Sequence, residues 1–135
     1  MLVLIKKVFK ILVKTKIYVF KLPSKKKIII YDPEVATQYK NLYSNLDYCY
    51  LHIRYEYLYL RIIFSALVEF LKLKEKRNIG FYSFYINKYI DKVDPKVIIS
   101  FTDYNSYFLK LKKNFPQKKF ILVQNNYRYG FHTSN

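Results

Sequence analysis

The sequence predicts an α/β fold: a Rossmann-like parallel sheet of about four strands, with helices on both faces and a basic amphipathic helix in front. Three observations predict it. Short apolar runs at residues 28–31, 48–53, 97–101 and 120–123 alternate with longer segments of helical periodicity. None of these runs carries a polar face, as expected of parallel strands covered on both sides. Each run also ends in polar or charged residues.

The elements follow in order. Within residues 1–20, Lys6, Lys7, Lys10 and Lys14 fall on one side of a helix, with Leu4, Val8, Ile11 and Leu12 on the other. The longest uncharged run there covers residues 1–5, far short of a membrane span. No small-residue cleavage site follows, as a signal peptide would require. Such a helix either lies on an anionic membrane or packs its apolar side into the core, and amphipathicity fits both. Residues 28–31 read as a buried β-branched strand. Asp32-Pro33-Glu34 then supplies an N-cap, a first-turn proline and a first-turn acid, which predicts a helix to about residue 43. Residues 48–53 form the second strand, followed by Arg54-Tyr55-Glu56. A long helix is predicted over 57–74, with Leu60, Ile63, Phe64, Leu67, Phe70 and Leu71 at helical spacing. A charged run and Gly80 close it. A further helix over 81–92 stops before Asp94-Pro95. The third strand covers 97–101, a helix covers 104–114, and the fourth strand covers 120–123. The expected division is a basic helical segment over 1–24, a Rossmann-like domain over 25–130 and a frayed tail over 131–135.

Composition narrows the function. The 135 residues are 52% hydrophobic, enough for one domain with a real core. The formal net charge is +16, and basic surfaces attract phosphate backbones. Yet only Arg54, Arg61, Arg77 and Arg128 are arginine. The remaining basic residues are lysines in company with many Ile, Tyr, Phe and Asn, a combination that AT-rich coding writes into any protein. Neither a paired Cys/His finger nor a glycine-aromatic RNA-binding strand is present, so nucleic acid is not the expected partner. The lone Cys49 excludes an intrachain disulfide and a cysteine zinc site within one chain, and fits a reducing cytoplasm. The two glycines are isolated, so there is no phosphate-cradling loop, and no nucleophile elbow appears. His52 reads as strand-packed and His132 lies in the tail, so no histidine-based metal or triad site is expected.

In a parallel sheet the ligand crevice lies beyond the carboxyl ends of the strands. The four predicted strands deliver Asp32 and Glu34; Arg54 and Glu56; Thr102, Asp103 and Asn105; and Gln124, Asn125 and Arg128. Each group also has an ordinary structural use. Asp32 can cap a helix, as can Asp103 and Asn105. Arg54 and Glu56 can form a surface ion pair. Gln124 and Asn125 can satisfy loop backbone. As a set, amide, carboxylate and guanidinium groups suit hydroxyl-rich sugars.

Three stretches resemble bacterial surface-carbohydrate (capsule or lipopolysaccharide) biosynthesis proteins with a glycosyltransferase-B-like fold. They are residues 25–32 (KKKIIIYD), residues 51–60 (LHIRYEYLYL) and residues 96–128 (KVIISFTDYNSYFLKLKKNFPQKKFILVQNNYR). The second matches an Arg-Gly-Glu type turn before a long helix. The third matches a strand, a T-x-D-N loop, a helix, an FP turn, a strand and a QNG-x-R ending. Tyr55 stands where the family favours Gly, Tyr104 where it favours Asn, and Asn126 where it favours Gly. Asn tolerates a left-handed backbone, so that last turn can survive.

The resemblance implies the N-terminal, acceptor-side half of a two-domain transferase. It implies a carbohydrate or lipid-linked acceptor and a location at the cytoplasmic face of the inner membrane. The nucleotide-sugar donor would bind a second Rossmann-like domain absent from these residues, and no cofactor or metal is expected in this chain. A fragment, a two-chain enzyme and a non-catalytic remnant all fit. In such a mechanism Asp103, then Asp32, would serve as general base for an acceptor hydroxyl. Arg54, Glu56, Thr102, Asn105, Gln124, Asn125 and Arg128 would bind polar ligand groups. Competing expectations are a non-enzymatic membrane-peripheral scaffold resting on residues 1–20, and a nucleic-acid binder resting on charge alone.

Overall fold

The structure, a computed structural model, describes residues 2–72, 80–102 and 105–124. Its elements are α1 (Leu2–Lys14), β1 (Ile17–Val19), β2 (Ile28–Tyr31), α2 (Pro33–Ala36) running into a 3₁₀ segment (Thr37–Leu42), β3 (Tyr48–Leu51), β4 (Tyr57–Tyr59), α3 (Leu60–Lys72), α4 (Phe81–Val93), β5 (Val97–Ser100), α5 (Ser106–Asn114) and β6 (Lys119–Leu122). Four strands form one sheet in the order β3-β2-β5-β6, all parallel. Ile28 lies opposite both Tyr48 and Val97, and Val97 lies opposite Lys119. The predicted α/β class, parallel sheet and leading helix are therefore all present.

Alternation along β2 explains why its sequence is continuously apolar. Ile29 and Tyr31 face the larger cluster, with Ile62 and Ala66 of α3, Ile86 and Ile90 of α4, and Phe108 and Leu111 of α5. Ile30 faces the other way, onto a smaller cluster with Ala36, Tyr43 and Phe101. Both faces exclude water, so a polar residue would lose its hydration on either one. The smaller face is closed by rings rather than by a long helix. Tyr39 stacks on Phe101 at 5.2 Å, and Tyr43 meets Tyr48, Tyr50 and Phe101.

That ring packing accounts for one departure from expectation. The helix predicted to run to about residue 43 is α-helical only over Pro33–Ala36 and then tightens, with Tyr39 at φ −106°, ψ 18°. Thr37, Tyr39 and Asn41 are weak helix formers, so tertiary ring contacts decide their conformation. The long helix predicted over 57–74 begins only at Leu60, because residues 57–59 are β4 and pair in parallel with β1, Ile17 opposite Tyr57. The second strand stops at Leu51, two residues earlier than expected.

The apolar side that periodicity identified on α1 is covered by protein. Ile11 is buried, and Leu4, Val8 and Leu12 pack against the larger cluster, while Lys6, Lys7, Lys10 and Lys14 face water. A second stripe, Ile5, Phe9 and Val13, stays outside at 56%, 65% and 68% exposure. Among the described residues no helix is long and apolar enough to cross a membrane.

The amino ends of the strands are lysine-rich. Lys25, Lys26, Lys27 and Lys96 gather there with Asp47 and Asp94. Lys26 Nζ lies 2.7 Å from Asp47, and Lys118 Nζ lies 2.8 Å from Asp94. Hydrogen bonds from those lysines hold both carboxyls below the usual carboxylate range. After β2 the chain passes to β3 on one side, and after α4 it crosses to β5 on the other. The topological switch point therefore lies between the carboxyl ends of β2 and β5.

Candidate functional site

Asp32 leaves β2 with φ 55° and ψ 83°, a left-handed conformation that is uncommon for a residue with a Cβ. Its N–H donates to the Leu51 carbonyl at 3.2 Å, which ties the end of β2 to β3. The side chain makes no capping bond to α2, so the predicted cap is not formed. Instead the carboxylate, 1% exposed, accepts from Arg54 Nη2 at 2.8 Å through Oδ2. Its other oxygen, Oδ1, is buried without a partner among the described residues. The second guanidinium nitrogen of Arg54 pairs with Glu34. Glu56 does not pair with the Arg54 side chain; its Oε2 accepts the Arg54 backbone N–H at 2.8 Å and so fixes the turn. Between them Tyr55 has φ 62°. Glycine takes that conformation at least cost, and glycine is what the resemblance leads one to expect at this position.

Beside this cluster stands His52, expected from the sequence only as a strand-packed residue. Its ring lies 4.3 Å from that of Tyr57 and 6.1 Å from that of Tyr50. Its Nδ1 is buried and has no partner among the described residues. Burial pushes the imidazole below its ordinary value of 6.5, against opposing pulls from Glu56 and Asp32, so His52 is neutral at pH 7. The signal for it was present in the sequence: Tyr50, His52 and Arg54 alternate along one extended segment, which puts them on one face. Together these side chains line an open cleft of about 680 Å³, which also takes in Lys16, Thr37 and Tyr57.

Other predicted residues stand apart from this cleft. Asn105 caps α5, its Oδ1 accepting from the Tyr107 and Phe108 amides at 3.0 and 3.2 Å. Thr102 donates its N–H to Ser100 Oγ at 3.2 Å, and its Oγ1 is buried without a partner among the described residues. Gln124 is exposed just beyond β6. Asp103, Asn125, Arg128 and the tail over 131–135 lie outside the described residues. The structure thus brings Asp32, Glu34, Arg54 and Glu56 together and leaves Thr102, Asn105 and Gln124 elsewhere along the carboxyl edge. Among the described residues no group of three or more His, Cys, Asp or Glu side chains could hold a metal ion. No protein-family model, curated protein or solved structure matches the chain.

Proposed function

We propose that the cleft binds a hydroxyl-rich carbohydrate and that the chain is the acceptor-side domain of a glycosyltransferase-like protein in surface-polysaccharide synthesis. One observation carries this reading: carboxylates (Glu34, Glu56), a guanidinium (Arg54), a neutral imidazole (His52) and tyrosine rings (Tyr50, Tyr57) share one cleft at the carboxyl ends of β2 and β3. Sugars present vicinal hydroxyls that donate to carboxylates and accept from guanidinium, and C–H faces that lie on rings. Asp32 is buried against Arg54, so it positions the guanidinium. His52 and Glu56 are the groups placed to accept a proton from an acceptor hydroxyl. The left-handed turn at Tyr55 supports the family resemblance. On this reading the nucleotide-sugar donor belongs to a second Rossmann-like domain.

The test is an NMR titration of the ¹⁵N-labelled chain with maltotriose and chitotriose. Saturable shifts in the millimolar range are expected at residues 52–57 with at least one of them. Glu56→Gln keeps the acceptor for the Arg54 amide but removes the charge, and should weaken binding about tenfold. Cleft amides that stay still with both trisaccharides would end the carbohydrate reading.

A second reading, peripheral attachment at the inner membrane, rests on the outer face of α1. Ile5, Phe9 and Val13 lie exposed beside Lys6, Lys10 and Lys14, an apolar stripe bordered by cations that fits an anionic lipid surface. Deleting α1 would strip Ile11 from the core, so the informative variant is Phe9→Ser with Val13→Ser. Flotation with vesicles containing anionic lipid should fall about tenfold or more in that variant, given the apolar area it removes. Equal flotation of variant and parent would exclude the reading.

A further inference from the structure

A second pocket, of about 320 Å³, opens on the other side of β2 and β3 from the cleft. It stands at the topological switch point, because Tyr31 ends β2 while Asn105 and Tyr107 open α5 after β5. Its remaining walls are Ile53, Tyr82, Ser83 and Ile86, the last three from the first two turns of α4. Among the described residues no charged side chain lines it.

Two polar atoms there lack an internal role. Tyr31 is 0% exposed, and its hydroxyl has no hydrogen-bond partner among the described residues. The Tyr82 hydroxyl is likewise buried and unpartnered. The Asn105 side-chain amide lies beside the first and the Tyr55 backbone N–H beside the second, each on the donor side of the phenol oxygen, but neither completes a bond of acceptable geometry. Asn105 Oδ1 is already committed to the α5 amides. Burial drives both phenols well above their ordinary value of 10, so they remain protonated donors. Among the described residues no side chain caps α4, which follows Gly80, and a helix of this length presents partial positive charge and free amides at its start.

We propose that this pocket binds a phosphate monoester with a small apolar body. The Tyr31 and Tyr82 hydroxyls and the first turn of α4 supply neutral donors for the phosphate oxygens, while the Ser83 hydroxyl is turned to the Tyr107 phenol. Ile53, Ile86 and the Tyr107 ring cover the apolar portion. The site is distinct from the carbohydrate cleft and stands whether or not that cleft binds sugar.

The test is a titration of the full ¹⁵N-labelled chain with phenyl phosphate and, separately, inorganic phosphate, at constant ionic strength. Saturable shifts are expected at Tyr82, Ser83 and Asn105, with phenyl phosphate several-fold tighter than inorganic phosphate. Tyr31→Phe and Tyr82→Phe keep the ring and remove only the donor, so the spectrum elsewhere should be unchanged and affinity for phenyl phosphate should drop about tenfold in each. Shifts confined to the lysine-rich strand ends, or unchanged affinity in both variants, would overturn the site. Inorganic phosphate binding as tightly as phenyl phosphate would overturn the apolar body.

Discussion

Phe108→Ala is expected to cost about 4 kcal/mol of folding free energy, within the range for emptying a buried phenylalanine site. Phe108 is 1% exposed, and its ring lies 5.2 Å from that of Tyr31 and 5.4 Å from that of Phe120. It therefore joins α5 to both the central strand and the edge strand β6. Its neighbour Leu109 points away, exposed. Leu109→Ala should change stability by no more than about 0.5 kcal/mol. Urea unfolding of the two variants reads the helix orientation directly. A domain of this size holds about 5–15 kcal/mol in all, so the Phe108 variant should be partly unfolded at physiological temperature if the parent lies at the lower end. Equal costs for the two variants would mean that α5 does not present this face to the sheet.

Arg54→Ala is expected to destabilise by about 2–3 kcal/mol. Removing one partner of a fully buried ion pair costs about 3–5 kcal/mol, and the half-exposed Arg54 side chain lowers that figure. The loss comes from Asp32, whose carboxylate would remain buried with neither oxygen paired. Adding Asp32→Gly to Arg54→Ala removes that stranded charge and also relieves the left-handed backbone. The double variant should therefore be more stable than Arg54→Ala alone. A coupling energy above about 1 kcal/mol in the double-mutant cycle is the expected result. Additive effects would show that the pair at 2.8 Å contributes nothing to the fold.

These two sites differ in how far the sequence disclosed them. The sheet was legible because both faces of β2 are dry, and two dry faces write an uninterrupted Ile28-Ile29-Ile30-Tyr31. The β1–β4 pair was not legible. Its register joins Ile17 to Tyr57, and nothing local in either segment announces a partner so far along the chain. Residues 57–59 then read as the first turn of the helix they precede. The Asp32, Arg54 and Glu56 cluster was visible as a set of strand ends, but the roles within it were not. Asp32-Pro33-Glu34 has the composition of a capped helix start, whereas a left-handed φ at a non-glycine residue leaves no mark in the sequence. His52 is hidden in the sequence because an isolated histidine in an apolar run is most often a packing residue. Only its two-residue spacing from Tyr50 and Arg54 distinguishes it.

The lysines that precede the parallel strands have one more effect. Because the four strands of the sheet point the same way, Lys25, Lys26, Lys27, Lys96 and Lys118 collect at one end of the molecule, and Asp32, Glu34 and Glu56 at the other. Among the described residues the lysine end sets five cations against Asp47 and Asp94, whereas the cleft end sets three carboxylates against Lys16 and Arg54. A small anion in solution is accordingly drawn more strongly to the amino ends of the strands than to the carboxylate-bearing cleft.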